Sequence, residues 1–371
     1  MKKRLFVVVL AVGVILTAGQ RGAAQEEFPY EIFGRYLEAL ARQIGMPGVS
    51  AAILVDGRVA RRYEYGLADV DRKIHMTSDT PVPIGGITQA MTGVLMGVCI
   101  DRFFYQINDD IRTVVPTFPY EKTSVRQVLS HSTDGRFKYD PQLFTQLTPV
   151  VESPGCFGKT YRETIAAEIL DRLVLRRTVP GLDLIRPEGA AARALFDPAA
   201  VERYQRVLAD VATPYKIDVR GRATPSQYPS YGIDAASGMV STVNDLADFE
   251  RQLDSDDGIP LSSFTLNRMW SNQSFTFTNP NGTQFTVQMP TGLGWFVTTE
   301  SGQRLVWTFG HVQDAASALI VKMTKIQPGQ RPVNYTLIML ANSGGLANTY
   351  DLENANVTSS PFVKVFLRLF I

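Results

Sequence analysis

The stretch VPIGGITQAMTG, residues 82–93, has the composition of a glycine turn that leads into a helix. The free backbone N–H groups at such a helix N-terminus can bind an anion or a carbonyl oxygen. Thr88 is the hydroxyl nearest to the turn, and Gln89 follows it. A hydroxyl acts as a nucleophile beside a base, and a glutamine amide is not a base. Backbone binding is therefore the chemistry that this stretch supports by itself.

The three histidines, His75, His131 and His311, lie far apart and lack the spacing of metal ligands, so we predict no metal site. The sequence contains no Gly-x-Ser-x-Gly elbow, P-loop or dinucleotide fingerprint, and we predict no cofactor. His131 follows a short helical segment, and we interpret it as a hydrogen-bond donor to the end of that helix.

The composition is that of an ordinary globular protein. Hydrophobic residues make up 45% and charged residues 20% of the 371 residues, which is enough for one large domain. With 37 Lys+Arg against 36 Asp+Glu, nothing favours nucleic acid or an anionic membrane surface as a partner.

Residues 1–24 have the layout of a cleavable secretory signal. Basic residues at positions 2–4 precede a short apolar run, and small residues end at Ala23-Ala24. An uncleaved anchor is the alternative, but the run is too short for a typical membrane span. We expect an exported protein, periplasmic or secreted, with no stable membrane span after cleavage.

Export would permit a disulfide between Cys99 and Cys156, the two cysteines of the chain. Cys99 lies within an apolar helical pattern, where a buried free thiol is common. We expect no bridge, although this pattern leaves pairing open.

Periodicity orders the elements along the chain. Residues 29–45 predict an amphipathic helix, and Asp56-Gly57 joins two extended runs in the pattern of a tight hairpin. Helical spacing returns from Thr88 to about Phe103. A mostly helical middle follows, then strand-like runs such as RLVWTFGH and ASALIVKM, and a terminal helix capped by Ser360.

Strands lie at both ends of the chain, with helices between them. The simplest architecture for this order of elements is one sheet that contains the strands from both ends. We therefore predict an α/β fold of the α+β type in which an antiparallel sheet is flanked by helices. Residues 25–108 and 270–371 build this part, and a mainly helical subdomain, about 109–269, is inserted. Residues 25–371 then form a single domain.

This order of landmarks resembles the serine β-lactamase and penicillin-binding-protein superfamily, especially its class C-like, esterase-like branch. The string MPGVSAAILVDGRVARRYEYGLADVDRKIHMTSDT is similar to the helix–hairpin region of that branch, and INDDIRTVVPTF with TSVRQVLSHSTDG to the segment between its first two motifs. DAASGMVSTVNDLADF, GLGWF and IMLANSGG resemble its glycine turn and closing strands. The likeness covers nearly the whole mature chain.

The resemblance implies three catalytic motifs, of which the first is Ser-x-x-Lys at a helix N-terminus. Its serine is the nucleophile, and its lysine helps to deprotonate the serine. In this chain the motif falls on Gly86-Ile87-Thr88-Gln89, so both the nucleophile and the base are replaced. Thr88 lies two positions further along, on another face of the helix.

The second motif, Tyr-x-Asn or Ser-x-Asn, falls on Tyr139-Asp140-Pro141. Its tyrosine or serine transfers protons, and its asparagine orients the substrate amide. Tyr139 matches the motif, but proline has neither the side-chain amide nor a backbone N–H.

The third motif, Lys/His-Thr/Ser-Gly on an edge strand, falls on His311-Val312-Gln313. Valine removes the hydroxyl that would hold a substrate carboxylate, and Gln313 replaces a glycine that lets the substrate approach the strand. Asp314 adds a negative charge that would repel an anionic β-lactam.

These replacements predict a non-catalytic member of the family that binds a cell-wall-type or other small molecule, or a protein, in the inherited cleft. The predicted binding residues are Gly86, Gln89, Tyr139, His311, Gln313 and Asp314. The alternative is an esterase-, peptidase- or β-lactamase-like serine hydrolase with displaced residues, in which Thr88 or Ser237 acts with Tyr139 or His311. A third hypothesis is an interaction protein whose cleft is closed.

Overall fold

A computed structural model of the chain describes residues 27–229, 232–255, 257–278 and 281–371. The predicted signal, residues 1–24, lies outside these ranges. Among the described residues, no helix is both long and apolar enough to cross a membrane.

The strands are β1 (Gly48–Val55), β2 (Arg58–Asp69), β3 (Ile74–His75), β4 (Val82–Pro83), β5 (Tyr215–Ile217), β6 (Ala223–Pro225), β7 (Val240–Ser241), β8 (Ser274–Thr278), β9 (Gln284–Gln288), β10 (Phe296–Glu300), β11 (Gln303–Val312), β12 (Ala316–Lys325) and β13 (Val333–Ala341). Seven of them form the main sheet in the order β10-β11-β12-β13-β1-β2-β3, and every neighbouring pair is antiparallel. The predicted antiparallel sheet built from both ends of the chain is confirmed.

The helices are α1 (27–44), α2 (Ile87–Phe103), α3 (Val125–Leu129), α4 (Pro141–Phe144), α5 (Thr148–Glu152), α6 (Tyr161–Ile165), α7 (Ala190–Arg193), α8 (Pro198–Ala209), α9 (Val243–Leu253), α10 (Ser263–Met269) and α11 (Pro361–Phe370). The helical segment that begins at Tyr161 is α-helical only to Ile165 and continues as a π-helix over Ala166–Asp171. Short 3-10 turns connect many of the middle helices.

Both faces of the main sheet are buried, and β1 shows how the sequence achieves this. Its residues Ala51 and Ile53 pack in one core with the apolar faces of α1 and α11. Ala52 and Leu54 point the other way and pack with α2 and the middle helices. Successive side chains of a strand alternate between faces, so an uninterrupted apolar run is buried on both sides.

The local turn and cap signals of the sequence are realised at two of three positions. Asp56 and Gly57 have φ values of 48° and 72° and form the turn between β1 and β2. Thr242 caps α9 by accepting a hydrogen bond from the N–H of Asp245. Ser360 precedes α11 as predicted, but its side chain makes no cap hydrogen bond.

A disulfide joins Cys99 to Cys156, so the expectation of two unpaired cysteines is wrong. Cys99 lies on α2 and is buried, as its helical pattern predicted. The segment after α5 brings Cys156 against it, and the two Cα atoms are 5.4 Å apart. Helical periodicity reports that a position is buried, but it does not report which distant residue packs there.

Candidate functional site

The N-terminus of α2 packs directly against β11. Gly85 has a φ of 50°, and Gly86 is the residue that precedes the helix. A Cβ atom on Gly85 would lie 2.8 Å from the backbone nitrogen of His311, and one on Gly310 would lie 1.8 Å from the oxygen of Ile84. The glycines are therefore required by the close approach of the two backbones, and at Gly85 also by the left-handed conformation.

Tyr139 occupies the space in which a side chain at position 86 would begin. A Cβ atom on Gly86 would lie 2.7 Å from the Tyr139 hydroxyl and 2.7 Å from the carbonyl oxygen of Phe309. The Tyr139 ring is held by aromatic neighbours, with ring centroids 5.2 Å from Phe309 and 5.8 Å from Phe296. Position 86, at which the resemblance predicts the family's nucleophile, therefore lacks a side chain and has no room for one in this arrangement.

Gln89 connects Tyr139 to His131. Its Nε2 donates to the Tyr139 hydroxyl at 3.0 Å, and its Oε1 lies 3.0 Å from Nε2 of His131. The N–H of Asp140 donates to Nδ1 of the same histidine at 3.2 Å. Because Nδ1 accepts this bond, the ring proton must be on Nε2, which donates to Gln89. We call Gln89, His131 and Tyr139 the Gln89 cluster.

Only a side chain that accepts and donates at the same time satisfies both neighbours in the Gln89 cluster. A glutamine amide does so, whereas a lysine ammonium offers donors only. A lysine at this position would face the Nε2–H of His131 without an acceptor for it. A glutamine at position 89 thus meets the requirements of both hydrogen bonds.

The Gln89 cluster is uncharged. Burial lowers the pKa of His131 to about 3, and burial raises the pKa of the Tyr139 hydroxyl above its ordinary value, partly offset by the hydrogen bond from Gln89. Neither group changes its charge near neutral pH. The cluster therefore contains no group poised to take a proton from a nucleophile at that pH.

The site prediction missed His131. Its side chain bonds Gln89 and the backbone of Asp140, so the interpretation as a donor to the end of a helix is wrong for the ring. The ring also lies 4.8 Å from Tyr139, centroid to centroid. The one signal in the sequence was the position of His131 within TSVRQVLSHSTDG, a segment that resembles the family's region between two motifs.

The second motif has a structural use in this chain. The Asp140 carboxylate accepts a hydrogen bond from the N–H of Leu143, and Pro141 is the first residue of α4. Proline is favoured at this position because the missing N–H would have no partner inside the helix. Tyr139 is thereby held at the start of a capped helix, with its hydroxyl on Gln89.

The residues at the predicted third motif lie in different surroundings, one in the core and the others in a turn. Val312 is buried in the core beneath the helices. Gln313 is exposed in the turn between β11 and β12, and Asp314 in the same turn pairs with Lys216 at 2.9 Å. The structure thus brings Gly86, Gln89 and Tyr139 together, whereas Gln313 and Asp314 lie in the turn beyond the end of β11.

His311 is half-buried and lines a pocket of about 220 Å³ between β11 and residues 347–354. Burial lowers the pKa of His311 below its ordinary value. Its Nε2 atom is buried and has no hydrogen-bond partner among the described residues. Phe309, Asn348 and Glu353 also line this pocket, which we call the β11 pocket.

The hydroxyls considered as displaced nucleophiles lie in other settings. Thr88 is fully buried, and its Oγ1 accepts a hydrogen bond of 3.4 Å from the N–H of Met239. Ser237 belongs to a turn in which its N–H donates to Asp234. In the part of the chain that the structure describes, there is also no group of three His, Cys, Asp or Glu residues that could hold a metal ion.

Comparisons with known proteins show the family and the fold of the chain. The sequence profile of the family described as Beta-lactamase matches residues 33–359. Curated relatives in three Staphylococcus aureus strains, each described as Protein flp, are 29% identical over 93 residues, which is 24% of this chain. The match spans only 19% of the length of those relatives.

Solved structures share the fold over most of the chain. The octameric penicillin-binding protein homologue from Pyrococcus abyssi has a TM-score of 0.65 at 20% identity and covers 89% of this chain and 77% of its own. D-amino acid amidase from Ochrobactrum anthropi, solved with L-phenylalanine amide, has a TM-score of 0.64 at 18% identity and covers 92% and 99%. The resemblance drawn from the sequence is confirmed.

Proposed function

This chain belongs to the Beta-lactamase family, a family of serine hydrolases, and we propose that it is a member without hydrolytic activity that binds a ligand beside the former catalytic position. One observation carries the proposal: the Tyr139 hydroxyl and the Phe309 carbonyl lie where a nucleophile's Cβ would be. A hydrolase of this type needs a nucleophile and a base in contact. Here a glycine and a glutamine stand at those positions.

Ligand binding is assigned to the β11 pocket. Its volume of about 220 Å³ suits a small molecule or one inserted side chain of a protein partner. The charged residues that line it are Asp351 and Glu353, both carboxylates. These charges favour a neutral or cationic ligand, such as a cell-wall-type fragment with a free amine, over an anionic β-lactam.

Purified protein tests the loss of hydrolysis. We expect no turnover of nitrocefin or of short-chain nitrophenyl esters, and no covalent adduct with a fluorescent penicillin or a fluorophosphonate by mass spectrometry. An adduct that disappears in Thr88→Val or in Ser237→Ala would instead establish a displaced nucleophile and overturn the proposal.

Restoring the two family residues should not restore the reaction. In the double variant Gly86→Ser with Gln89→Lys, the serine Cβ meets the Tyr139 hydroxyl, and the lysine lacks the acceptor that His131 needs. We expect no fluorophosphonate labelling of this variant. Measurable ester hydrolysis by the double variant would show that neither Tyr139 nor the altered third motif prevents catalysis.

A thermal-shift titration tests the β11 pocket. We expect stabilisation by D-alanyl-D-alanine amide, which has a free amine and no carboxylate, and we expect His311→Gln to abolish it because this change alters the pocket wall. The matched control is His75→Gln, since His75 is exposed on β3 outside the pocket. Equal responses of the two variants would rule out the β11 pocket as the binding place.

Export is part of the same proposal. The signal-like residues 1–24 support it, and the Cys99–Cys156 disulfide is typical of proteins that fold in oxidising compartments. Expression of the full chain in a Gram-negative host should yield a periplasmic protein whose N-terminal sequence begins near Gln25. Retention of residues 1–24 on a cytoplasmic product would contradict this part.

A further inference from the structure

The sheet formed by β8 and β9 is separate from the main sheet, and β9 has a strand partner on one side only. Among the described strands, β9 pairs with β8 alone. β8 faces the body of the protein, because the Arg126 guanidinium donates to the carbonyl oxygen of Ser274 and the Phe277 ring lies beside Gly135. Four of the five residues of β9 are exposed. β9 is therefore the side of this sheet that a partner can reach.

The hydrogen bonds between β8 and β9 determine which backbone groups point outward. The N–H of Met289 donates to the carbonyl oxygen of Gln273 at 2.7 Å. Bonded and non-bonded pairs alternate along an antiparallel ladder, so the odd-numbered residues of β9 bond β8. The N–H and C=O groups of Gln284, Thr286 and Gln288 therefore point away from β8. No other element in the described part of the chain forms hydrogen bonds with these groups.

β9 lacks the features that normally protect an edge strand. Natural edge strands carry charged side chains, prolines or bulges that prevent pairing with another chain. Residues 269–299 contain no charged residue, neither β8 nor β9 contains a proline, and the two strands pair without a bulge. Phe285 on β9 is 43% exposed. A two-stranded sheet is also marginal by itself, so further strands would stabilise it.

The outer edge of β2 has the opposite composition. β3 pairs only with Leu67 and Asp69, so residues 58–64 of β2 have no strand beside them on the side away from β1, as far as the described strands show. This length carries Arg58, Arg61 and Arg62, all of them exposed. Two copies of such a strand would bring like charges together, which disfavours pairing. No charge of this kind opposes the pairing of two β9 strands.

We propose that two copies of this chain associate through β9, in an antiparallel pair centred on Thr286. In this register Gln284 faces Gln288 of the second copy, and Thr286 faces Thr286 of the second copy. Every outward N–H and C=O group of β9 then belongs to a bonded pair, with two hydrogen bonds in each pair. The two sheets become one sheet of four strands.

The side chains of β9 fit the same register. Phe285 lies opposite Val287 of the second copy, in a non-bonded pair whose side chains are close together. A pair of an aromatic and a β-branched residue is favourable across two strands, and it covers the exposed ring of Phe285. The polar face consists of glutamine and threonine side chains, which carry no charge. β9 is therefore self-complementary, which favours a second copy over a charged peptide as the partner.

Sedimentation equilibrium of the purified protein tests the association. The contact is smaller than a standard interface of about 1,600 Å², so we expect a dissociation constant on the order of 10–100 µM. Amide hydrogen exchange measured by mass spectrometry places the contact. Exchange in the peptide that contains β9 should slow as the protein concentration rises, whereas exchange in the peptide that contains β2 should not change.

A matched pair of proline variants assigns the edge. Thr286→Pro removes an outward N–H of β9 and should weaken dimerisation at least about tenfold. The control is Thr276→Pro on β8, whose N–H also points away from the other strand. Thr276 lies opposite Thr286, with the two hydroxyls 3.0 Å apart, so both variants lose the same contact inside the sheet. The control should dimerise as the parent does.

Charge variants test the centre of the pair and decide the matter if a proline variant does not fold. Thr286→Lys and Thr286→Glu each place like charges opposite one another, so each should be monomeric by itself. An equimolar mixture of the two variants should form a heterodimer, because opposite charges then face each other. Circular dichroism verifies that each variant is folded.

Three results would overturn the proposal. The first is a monomer at every concentration up to about 300 µM, three times the weakest dissociation constant expected. This result is expected if a different chain or water alone covers β9. The second is a dimer that Thr286→Pro leaves intact or that Thr276→Pro weakens equally. The third is a mixture of Thr286→Lys and Thr286→Glu that associates no more than either variant alone.

Discussion

The Gln89 cluster and the Lys322 cluster are both buried against the main sheet, but they differ in charge and in how completely they are paired. In the Gln89 cluster, neutral side chains form a continuous chain of hydrogen bonds. It begins at the N–H of Asp140 and runs through His131 and Gln89 to the Tyr139 hydroxyl. In the Lys322 cluster, which comprises Lys322, Glu250, Asp254 and Trp270, one ammonium pairs with two carboxylates. Three polar atoms of this cluster have no hydrogen-bond partner among the described residues.

This difference separates a cluster in which the described side chains are fully matched from one in which they are not. Neutral groups that are matched as donors and acceptors can be buried at small cost, and their packing then fills the space around Gly86. Buried charges need partners that a protein seldom supplies in full. The Lys322 cluster keeps a pocket and unsatisfied atoms, whereas the Gln89 cluster keeps no room for a nucleophile.

The largest effect is expected from removing the charge at the centre of the Lys322 cluster. Lys322→Met leaves two buried carboxylates without their cation and should lower the free energy of unfolding by about 3–5 kcal/mol. Urea denaturation followed by circular dichroism measures this loss. The control is Lys216→Met, which breaks a more exposed pair with Asp314 and should cost at most about 1 kcal/mol. Equal losses in the two variants would remove the contrast between buried and exposed charge.

A smaller loss is expected when the Gln89 cluster loses its central amide. Gln89→Leu leaves the Nε2–H of His131 and the Tyr139 hydroxyl without their partner, at about 2–3 kcal/mol of unfolding free energy. The matched control is Gln43→Leu at an exposed position of α1. If Gln89→Leu has the same free energy of unfolding as the parent, water replaces the amide, and the cluster is accessible to solvent.

The pKa of His131 predicts a pH dependence of stability. Above about pH 6.5 the imidazole is neutral in both the folded and the unfolded state. Below that pH the unfolded chain takes up a proton that the folded ring accepts only near its pKa of about 3. The folded state is therefore destabilised as the pH falls, by about 2 kcal/mol between pH 6.5 and pH 5 from this group alone.

Urea midpoints at pH 7 and pH 5 measure this dependence in the parent and in His131→Gln, whose amide does not titrate. The difference between the two pH values should shrink by that amount in the variant. An equally large change in stability in both proteins would show that the His131 ring is protonated in the folded state.

The smallest stability effect is expected at Gly86. Gly86→Ala places a methyl group 2.7 Å from the Tyr139 hydroxyl and the Phe309 carbonyl, and the required shifts should cost about 1–2 kcal/mol. Gly155→Ala is the control, because a Cβ there meets its neighbours at 3.7 Å or more. A Gly86→Ala variant with the urea midpoint of the parent would show that Tyr139 swings away easily.

Much of the fold was predictable because its signals are local. The Asp56-Gly57 turn, the helical spacing after Gly86 and the capped start of α9 depend on residues a few positions apart. The resemblance of motif order then placed Gly86 and Gln89 at the start of α2, where the structure has them. The absence of a serine and a lysine from that place is also a property of the sequence alone.

The contacts that define the two clusters were not predictable in this way. Gln89 meets His131 and Tyr139 from 42 and 50 residues away, and Lys322 meets Glu250 from 72 residues away. The Cys99–Cys156 pair, 57 residues apart, was wrongly expected to be unpaired for the same reason. Periodicity determines which face of an element is buried, but the partner on that face depends on how all the elements pack.

The sequence by itself thus determined the order of the elements and the presence of Gly86 and Gln89 at the start of α2, because both depend on neighbouring residues. Only the tertiary structure decided that the Tyr139 hydroxyl lies against Gly86, that His131 requires an amide at Gln89, and that Lys322 lies beside an open pocket. These outcomes depend on distances between side chains that the chain brings together from far apart, and such distances exist only after the sheet and its helices have packed.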